Sequence, residues 1–135
     1  MISGAHAMAA HVVGVSITAV ASRTEAKSVE RASQLNAISV SYEQLPAGAD
    51  IVIVATPPAH HFSHTVHALK SGAAVIVEKP LVLTLDEADR LLDLVEHSGA
   101  KVLYAENLAY APVVHAFIKR VATIGPLNHL VLKTI

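Results

Sequence analysis

With 135 residues the chain is long enough for one domain with a buried core and too short for two of ordinary size. Ten basic side chains against eleven acidic ones leave a net charge of −1, so no field gathers nucleic acid or an anionic membrane, and the lack of cysteine excludes a disulfide scaffold or a thiolate zinc site. An apolar fraction of 53%, carried by Ala and Val, with no run of membrane-span length and no basic-then-apolar leader, reads as a soluble cytoplasmic α/β domain.

Residues 2–12, ISGAHAMAAHV, read as a small-residue helix that no strand precedes, so the alternating pattern starts half a unit late. SITAVAS (16–22) is a β-branched strand, followed by a helix over 25–35 that Thr24 can cap. DIVIVAT (50–56), AAVIVE (73–78) and KVLYAE (101–106) are three more strands, apolar on both faces as a helix-covered parallel sheet requires. Helical periodicity puts Phe62, Val66 and Leu69 on one face, and Leu85, Ala88, Leu92 and Val95 on one face of the next helix. Thr84 and Glu87 form a capping box at the start of that helix, and Gly99 suits a left-handed stop. Pro112 opens a last helix with Val113, Phe117 and Val121 on one side, and Gly125-Pro126 turns the chain into a new strand. Strand and helix in alternation imply right-handed crossovers and a Rossmann-like doubly wound parallel sheet.

The stretch AVIVEKPLVLTLDEAD (74–89) runs an apolar strand directly into Glu78, Lys79 and Pro80. Ligands of open α/β sheets bind at such strand ends. Taken alone, a Glu-Lys pair there is more often a solvated turn. Four motifs in matching order change that reading: VASR (20–23), VIVATPPAHH (52–61), VIVEKPL (75–81) and AENLAYAP (105–112). Together, over nearly the whole chain, they resemble the glucose-fructose oxidoreductase, inositol dehydrogenase and rhizopine-catabolism (Gfo/Idh/MocA) oxidoreductases.

The resemblance implies a domain that binds NAD or NADP, joined to a second α/β domain that helps hold a sugar, cyclitol or related polyol. Reversible hydride transfer follows. On this reading residues 1–125 are the cofactor domain, lacking its first, central strand and the G-x-G turn, and 126–135 begin the substrate domain. The chain is then expected to be a fragment, inactive alone, of a protein that forms a homo-oligomer when complete.

Residue by residue, Lys79 resembles the family's Glu-Lys-Pro lysine, placed beside the nicotinamide and bonded to the reacting substrate hydroxyl. Glu78 would orient that lysine or meet the nicotinamide ribose, and a cis Lys79-Pro80 bond is implied. Thr56, Pro57 and His61 resemble cofactor contacts, with Pro58 standing where the family often has Asn. Asn107 resembles an asparagine near nicotinamide and substrate, while Ala109 replaces an arginine that many members carry. Amides near Ile2 would face the pyrophosphate at a helix N-terminus. Ser22, Arg23 and Thr24 follow the second Rossmann strand, where no carboxylate stands ready for an adenosine ribose. Arg23 suits a 2′-phosphate, so NADP is expected over NAD.

Two rival readings come from other classes. One is a non-catalytic cofactor-binding regulator, which would have no need of Lys79. The other is a metal module, for which HHFSHTVH sets His60, His64 and His67 at helical spacing.

Overall fold

The computed structural model describes residues 2–46 and 48–126, and the chain divides into two compact units, Met1–Ala105 and Glu106–Ile135. The division falls ahead of the Gly125-Pro126 turn, and the strand expected beyond that turn lies outside the described residues.

Small residues let the first helix, α1 (Ile2–Val12), lie close to its neighbours: it buries only Ala7 and Ala10. At Gly4 an added Cβ would stand 3.2 Å from Nη2 of Arg31, so Arg31 would have to give way to any side chain there. The strand expected over 16–22 shortens to β1 (Ala19–Val20), because its one ladder is with an equally short parallel strand, β2 (Ile38–Ser39). β2 escaped the sequence reading: two residues carry no periodicity, and Ile38 is exposed. Between them runs α2 (Glu25–Leu35), with the bounds its sequence predicts. Thr24 sits at its N-cap in extended conformation, yet its side chain makes no capping bond. Ser28 does the local work instead, donating to Val20 O at 2.9 Å while accepting from Ser39 Oγ at 2.8 Å.

A second parallel sheet joins β3 (Ile51–Val54), β4 (Ala74–Val77) and β5 (Val102–Tyr104), with Val54 opposite Val77 and Val77 opposite Tyr104. The parallel strands are thus in two pieces. Among the described residues β1 and β3 each pair on one side only.

After β3, a 3-10 turn at Pro58–His60 leads into α3 (His61–Lys70), and α4 (Leu85–Ser98) follows β4. Both helices pack on the Val52, Val54, Val75 and Val77 side, forming the core with Ala68, Leu69 and Leu91. The opposite side is more open, with Ile51 and Leu103 exposed. The expectation of strands covered on both faces therefore holds for one face of this sheet. The helix faces also shift. α3 buries His61, Thr65, Ala68 and Leu69, because small and polar residues let the helix sit close to the sheet, whereas Phe62 stays partly exposed and takes the Arg90 guanidinium over its ring at 4.8 Å. In α4 the inward residue is Leu91, supported by Leu94 and Val95, and Leu85 and Leu92 face outward.

The α4 capping box closes with a one-residue offset. Thr84 Oγ1 accepts the Glu87 N–H at 3.2 Å, while Glu87 Oε2 accepts from Leu83 N–H at 3.0 Å rather than from Thr84. Gly99, at φ 66°, supplies the left-handed stop. Thr84→Ala is expected to destabilise the fold by about 1 kcal/mol and Thr84→Ser by much less, read as shifts in the urea midpoint at constant slope.

In the second unit, a 3-10 turn at Asn107–Tyr110 precedes α5 (Pro112–Val121), which opens on Pro112 as predicted. Val113, Phe117 and Ile118 on α5 are exposed.

Candidate functional site

Strands that run parallel deliver their following residues to one edge. Ala21, just past β1, lines the same cavity of about 50 Å³ as Val54 and Thr56 at the end of β3, so the two sheets end on the same side. The residues after β1, β3 and β4 are Ser22-Arg23-Thr24, Thr56-Pro57 and Glu78-Lys79-Pro80. The expected site residues of the first unit are therefore gathered by topology alone.

Glu78 is buried at 8% exposure, and both of its oxygens are committed. Oε1 lies 2.8 Å from His6 Nε2, and Oε2 accepts the Lys79 N–H at 3.1 Å. Burial pushes the carboxyl's pKa up, but the His6 hydrogen bond, the Lys79 N–H and the charges of His6 and Lys79 together outweigh it, holding Glu78 below the usual glutamate value of 4.5. His6 stands one turn into α1, so its bond to Glu78 also brings the N-terminal turn of that helix, with Ile2, to the strand-end edge. His6 was missed in the sequence. Its signal was a single polar side chain among glycine and alanines, GAHA, at the one turn of the helix that meets the sheet edge.

Lys79 is exposed at the edge, and the Lys79-Pro80 bond is cis. Thr56 is half-buried, and its Oγ1 is enclosed without a hydrogen-bond partner. Pro57 and Arg23 are exposed, as is Thr24, while Ser22 is half-buried. His61 is enclosed, with Nδ1 2.6 Å from Pro80 O and Nε2 2.8 Å from Thr56 O, so its ring is already engaged by the backbone. Asn107 belongs to the second unit, where it begins the 3-10 turn capped by Glu106, whose Oε1 accepts the Leu108 N–H at 3.2 Å.

The histidines of α3 do not converge on a common point. His67 Nε2 lies 3.1 Å from Glu43 O, and the His64 ring packs on Tyr42 at 4.5 Å and on His60 at 5.8 Å. Among the described residues no group of three or more His, Cys, Asp or Glu side chains is placed to hold a metal, so the metal-module reading has no cluster to rest on. These rings instead pin the loop before β3 to α3.

Burial of His64, reinforced by His60 and His67 and opposed by Glu43, holds its pKa below the ordinary 6.5. The folded chain then binds a proton less readily than the unfolded chain. Stability contributed by neutral His64 is present above the ordinary histidine range and lost as pH falls through it. The melting temperature is expected to drop between pH 7.5 and 5.5, and His64→Phe to flatten that slope. An unchanged slope in the variant would assign the pH effect to another group.

Among the described residues no helix is long and apolar enough to cross a membrane. Parallel strands between helices, with loops carrying polar groups gathered at their ends, define an α/β domain of the Rossmann kind. A family profile described as an oxidoreductase family with an NAD-binding Rossmann fold matches residues 2–106, and the chain belongs to this family, Gfo/Idh/MocA.

The chain is 44% identical over 66 residues to a D-xylose 1-dehydrogenase (NADP(+)) from Hypocrea jecorina, covering 47% of this chain and 16% of that protein. In structure it is similar to the UDP-N-acetylglucosamine 3-dehydrogenase GnnA of Acidithiobacillus ferrooxidans, with a TM-score of 0.82 at 21% identity over 89% of this chain and 40% of that one. It is also similar to the WlbA dehydrogenase of Thermus thermophilus, solved with NAD and UDP-GlcNAcA, with a TM-score of 0.77 at 24% identity over 91% of this chain and 44% of that one. The chain thus spans less than a quarter of these curated relatives' lengths and less than half of the solved chains.

Proposed function

We propose that this chain, over residues 1–125, is the cofactor-binding part of an NAD(P)-dependent oxidoreductase acting on a sugar, cyclitol or related polyol. The observation that carries this reading is the Glu78-Lys79-Pro80 edge: a buried carboxylate locked by His6 on one oxygen and the Lys79 N–H on the other, with the lysine side chain at the open end of β4.

The residues present fit a dinucleotide. Thr56 Oγ1, enclosed and unpartnered in the loop after β3, is a polar group left for a ligand hydroxyl to satisfy. The first turn of α1 presents backbone N–H groups at the same edge, the arrangement that suits a pyrophosphate, and Arg23 offers a planar fork for a 2′-phosphate. Ser22 and Thr24 flank Arg23 as hydroxyl partners, and Pro57 shapes the loop after β3. NADP is the preferred cofactor on this reading, and NAD the second.

When bound, the nicotinamide accepts or returns the hydride that leaves the substrate carbinol carbon with its electron pair. The protein's own work is placement and proton handling. In the oxidation direction the amine form of Lys79 accepts the hydrogen bond of the substrate hydroxyl and takes its proton as the hydride leaves, and in the return direction the ammonium supports the alkoxide and gives that proton back. Glu78 fixes the backbone from which Lys79 extends. Because both its oxygens are occupied within the protein, it orients the lysine rather than meeting the ribose.

The test is a fluorescence titration of the full-length protein carrying this sequence with NADPH and NADH. Binding of both, with NADPH tighter, is the expected outcome. Binding of neither at millimolar concentration would remove the oxidoreductase reading for this protein.

A further inference from the structure

We infer that His61 is a positioning residue for Lys79 and not a ligand of the cofactor. This rests on the role of Lys79 proposed above. The ring is 1% exposed, and its two nitrogens face the carbonyls of Thr56 and Pro80 at 2.8 and 2.6 Å. A carbonyl oxygen only accepts and a neutral imidazole has one N–H, so the ring donates to one of these carbonyls and packs its other nitrogen against the second, which leaves neither nitrogen open to a dinucleotide.

What the ring joins decides its task. The last backbone rung between β3 and β4 is Glu78 N–H to Val54 O at 2.9 Å. Two residues further along each strand, at Thr56 and Pro80, the loops part. Two residues past the Glu78 N–H to Val54 O rung, the next donor to Thr56 O would be the nitrogen of Pro80, which carries no hydrogen. The imidazole takes over as the next rung, reaching one loop with each nitrogen. It can do so because the 3-10 turn at Pro58–His60 brings the chain back beneath Thr56 just as α3 begins.

The consequence falls on Lys79, which lies between the last backbone rung at Glu78 and the side-chain rung at Pro80. It is held from both sides, by Glu78 Oε2 on its own N–H and by His61 on the carbonyl of the next residue. Catalytic groups tolerate little misplacement, a shift of roughly 1 Å costing on the order of a hundredfold in rate. A ring that fixes the spacing of the two loops therefore sets where the lysine stands, without touching substrate or cofactor.

The test uses His61→Gln and His61→Asn in the full-length protein. Three readouts are taken: the NADPH Kd by fluorescence, amide exchange by mass spectrometry, and NADP-dependent oxidation of a probe set of D-xylose, D-glucose and myo-inositol. Exchange at Lys79, Leu81 and Val82 is expected to quicken by about tenfold or more while the Kd stays within about threefold. With a turned-over probe, kcat is expected to fall about tenfold or more at unchanged cofactor KM, and the same substitution on a Lys79→Ala background to cost nothing further.

A Kd weakened tenfold with unchanged exchange would overturn the inference in favour of a direct cofactor contact. Faster exchange throughout the chain, additive losses with Lys79→Ala, or failure of both variants to fold would overturn it in favour of a general folding role. If no probe is turned over, exchange and Kd decide between these outcomes. If the unsubstituted protein binds no NADPH, the proposed function fails, and the exchange pattern still shows whether His61 holds the Lys79 turn.

Discussion

Replacing Lys79 with alanine in the full-length protein is expected to lower kcat by about 10²- to 10⁴-fold and to leave the NADPH Kd within a few-fold, because a positioned proton-handling group contributes on that scale to transfer but little to ground-state binding. The lysine is exposed at the end of β4, and its backbone is fixed by Glu78. Lys79→Met keeps the apolar stem and should lose as much as alanine, since the stem without its ammonium cannot support an alkoxide. Lys79→Arg keeps a cation but spreads it over a rigid fork that does not give up its proton, so it should not restore transfer. The measurement is NADPH absorbance in initial-rate assays over sugars and cyclitols, beside fluorescence titration of the cofactor. A loss below about threefold in kcat for Lys79→Ala would remove the lysine from the chemistry.

His6 adds a second level to that prediction. Its bond to Glu78 links α1 to the Lys79 turn, and the lowered carboxyl pKa marks a group stabilised as carboxylate by its surroundings. By the linkage sign, a depressed carboxyl contributes stability that is present above the ordinary glutamate value and lost as pH falls through the folded one. The edge around Lys79 is thus expected to loosen in acid.

The elements that could be read from the sequence were those whose signals are local. α1 and α2 have the expected bounds, Gly99 and Pro112 mark helix ends by backbone rules that need no partners, and the Glu-Lys-Pro edge follows from an apolar run that stops at charge. The misreadings share a cause: they depend on what lies alongside. Strand length at β1 is set by the ladder it can make, not by its β-branched residues. The inward face of α3 is His61, Thr65 and Ala68, since close packing on a sheet favours small side chains over the larger Phe62 and Val66 that periodicity selects. A buried histidine reads as polar until both its nitrogens are seen on carbonyls. The same is true of His6, whose partner is 72 positions away in the chain. The sequence thus showed where a strand ends in charged residues, and the contacts that hold that strand end in shape had to come from tertiary structure.

On the proposed NADP preference, replacing Arg23 with alanine is expected to weaken NADPH by about 10- to 100-fold while changing NADH by less than about threefold. The reasoning starts from position. Arg23 is exposed two residues past Ala21, at the strand-end edge, in a turn whose next residue, Thr24, caps α2 in extended conformation without spending its side chain. Hydrogen bonds to a charged group are worth about 1.5–3 kcal/mol each, and exposure to salt trims that toward the lower end. Glu25, in the first turn of α2, opposes a phosphate from the protein side, so the guanidinium has to outweigh a nearby carboxylate as well as solvent. Two consequences separate a phosphate contact from adenine stacking. A phosphate contact makes NADPH binding more salt-sensitive than NADH binding, and Arg23→Ala should erase that difference. Stacking would instead weaken both nucleotides alike. Arg23→Asp should go further, repelling the 2′-phosphate while offering the ribose hydroxyl an acceptor, and should turn the preference to NADH. Equal losses for both nucleotides in Arg23→Ala would assign the arginine to the adenine ring and leave the choice of cofactor to residues other than this one.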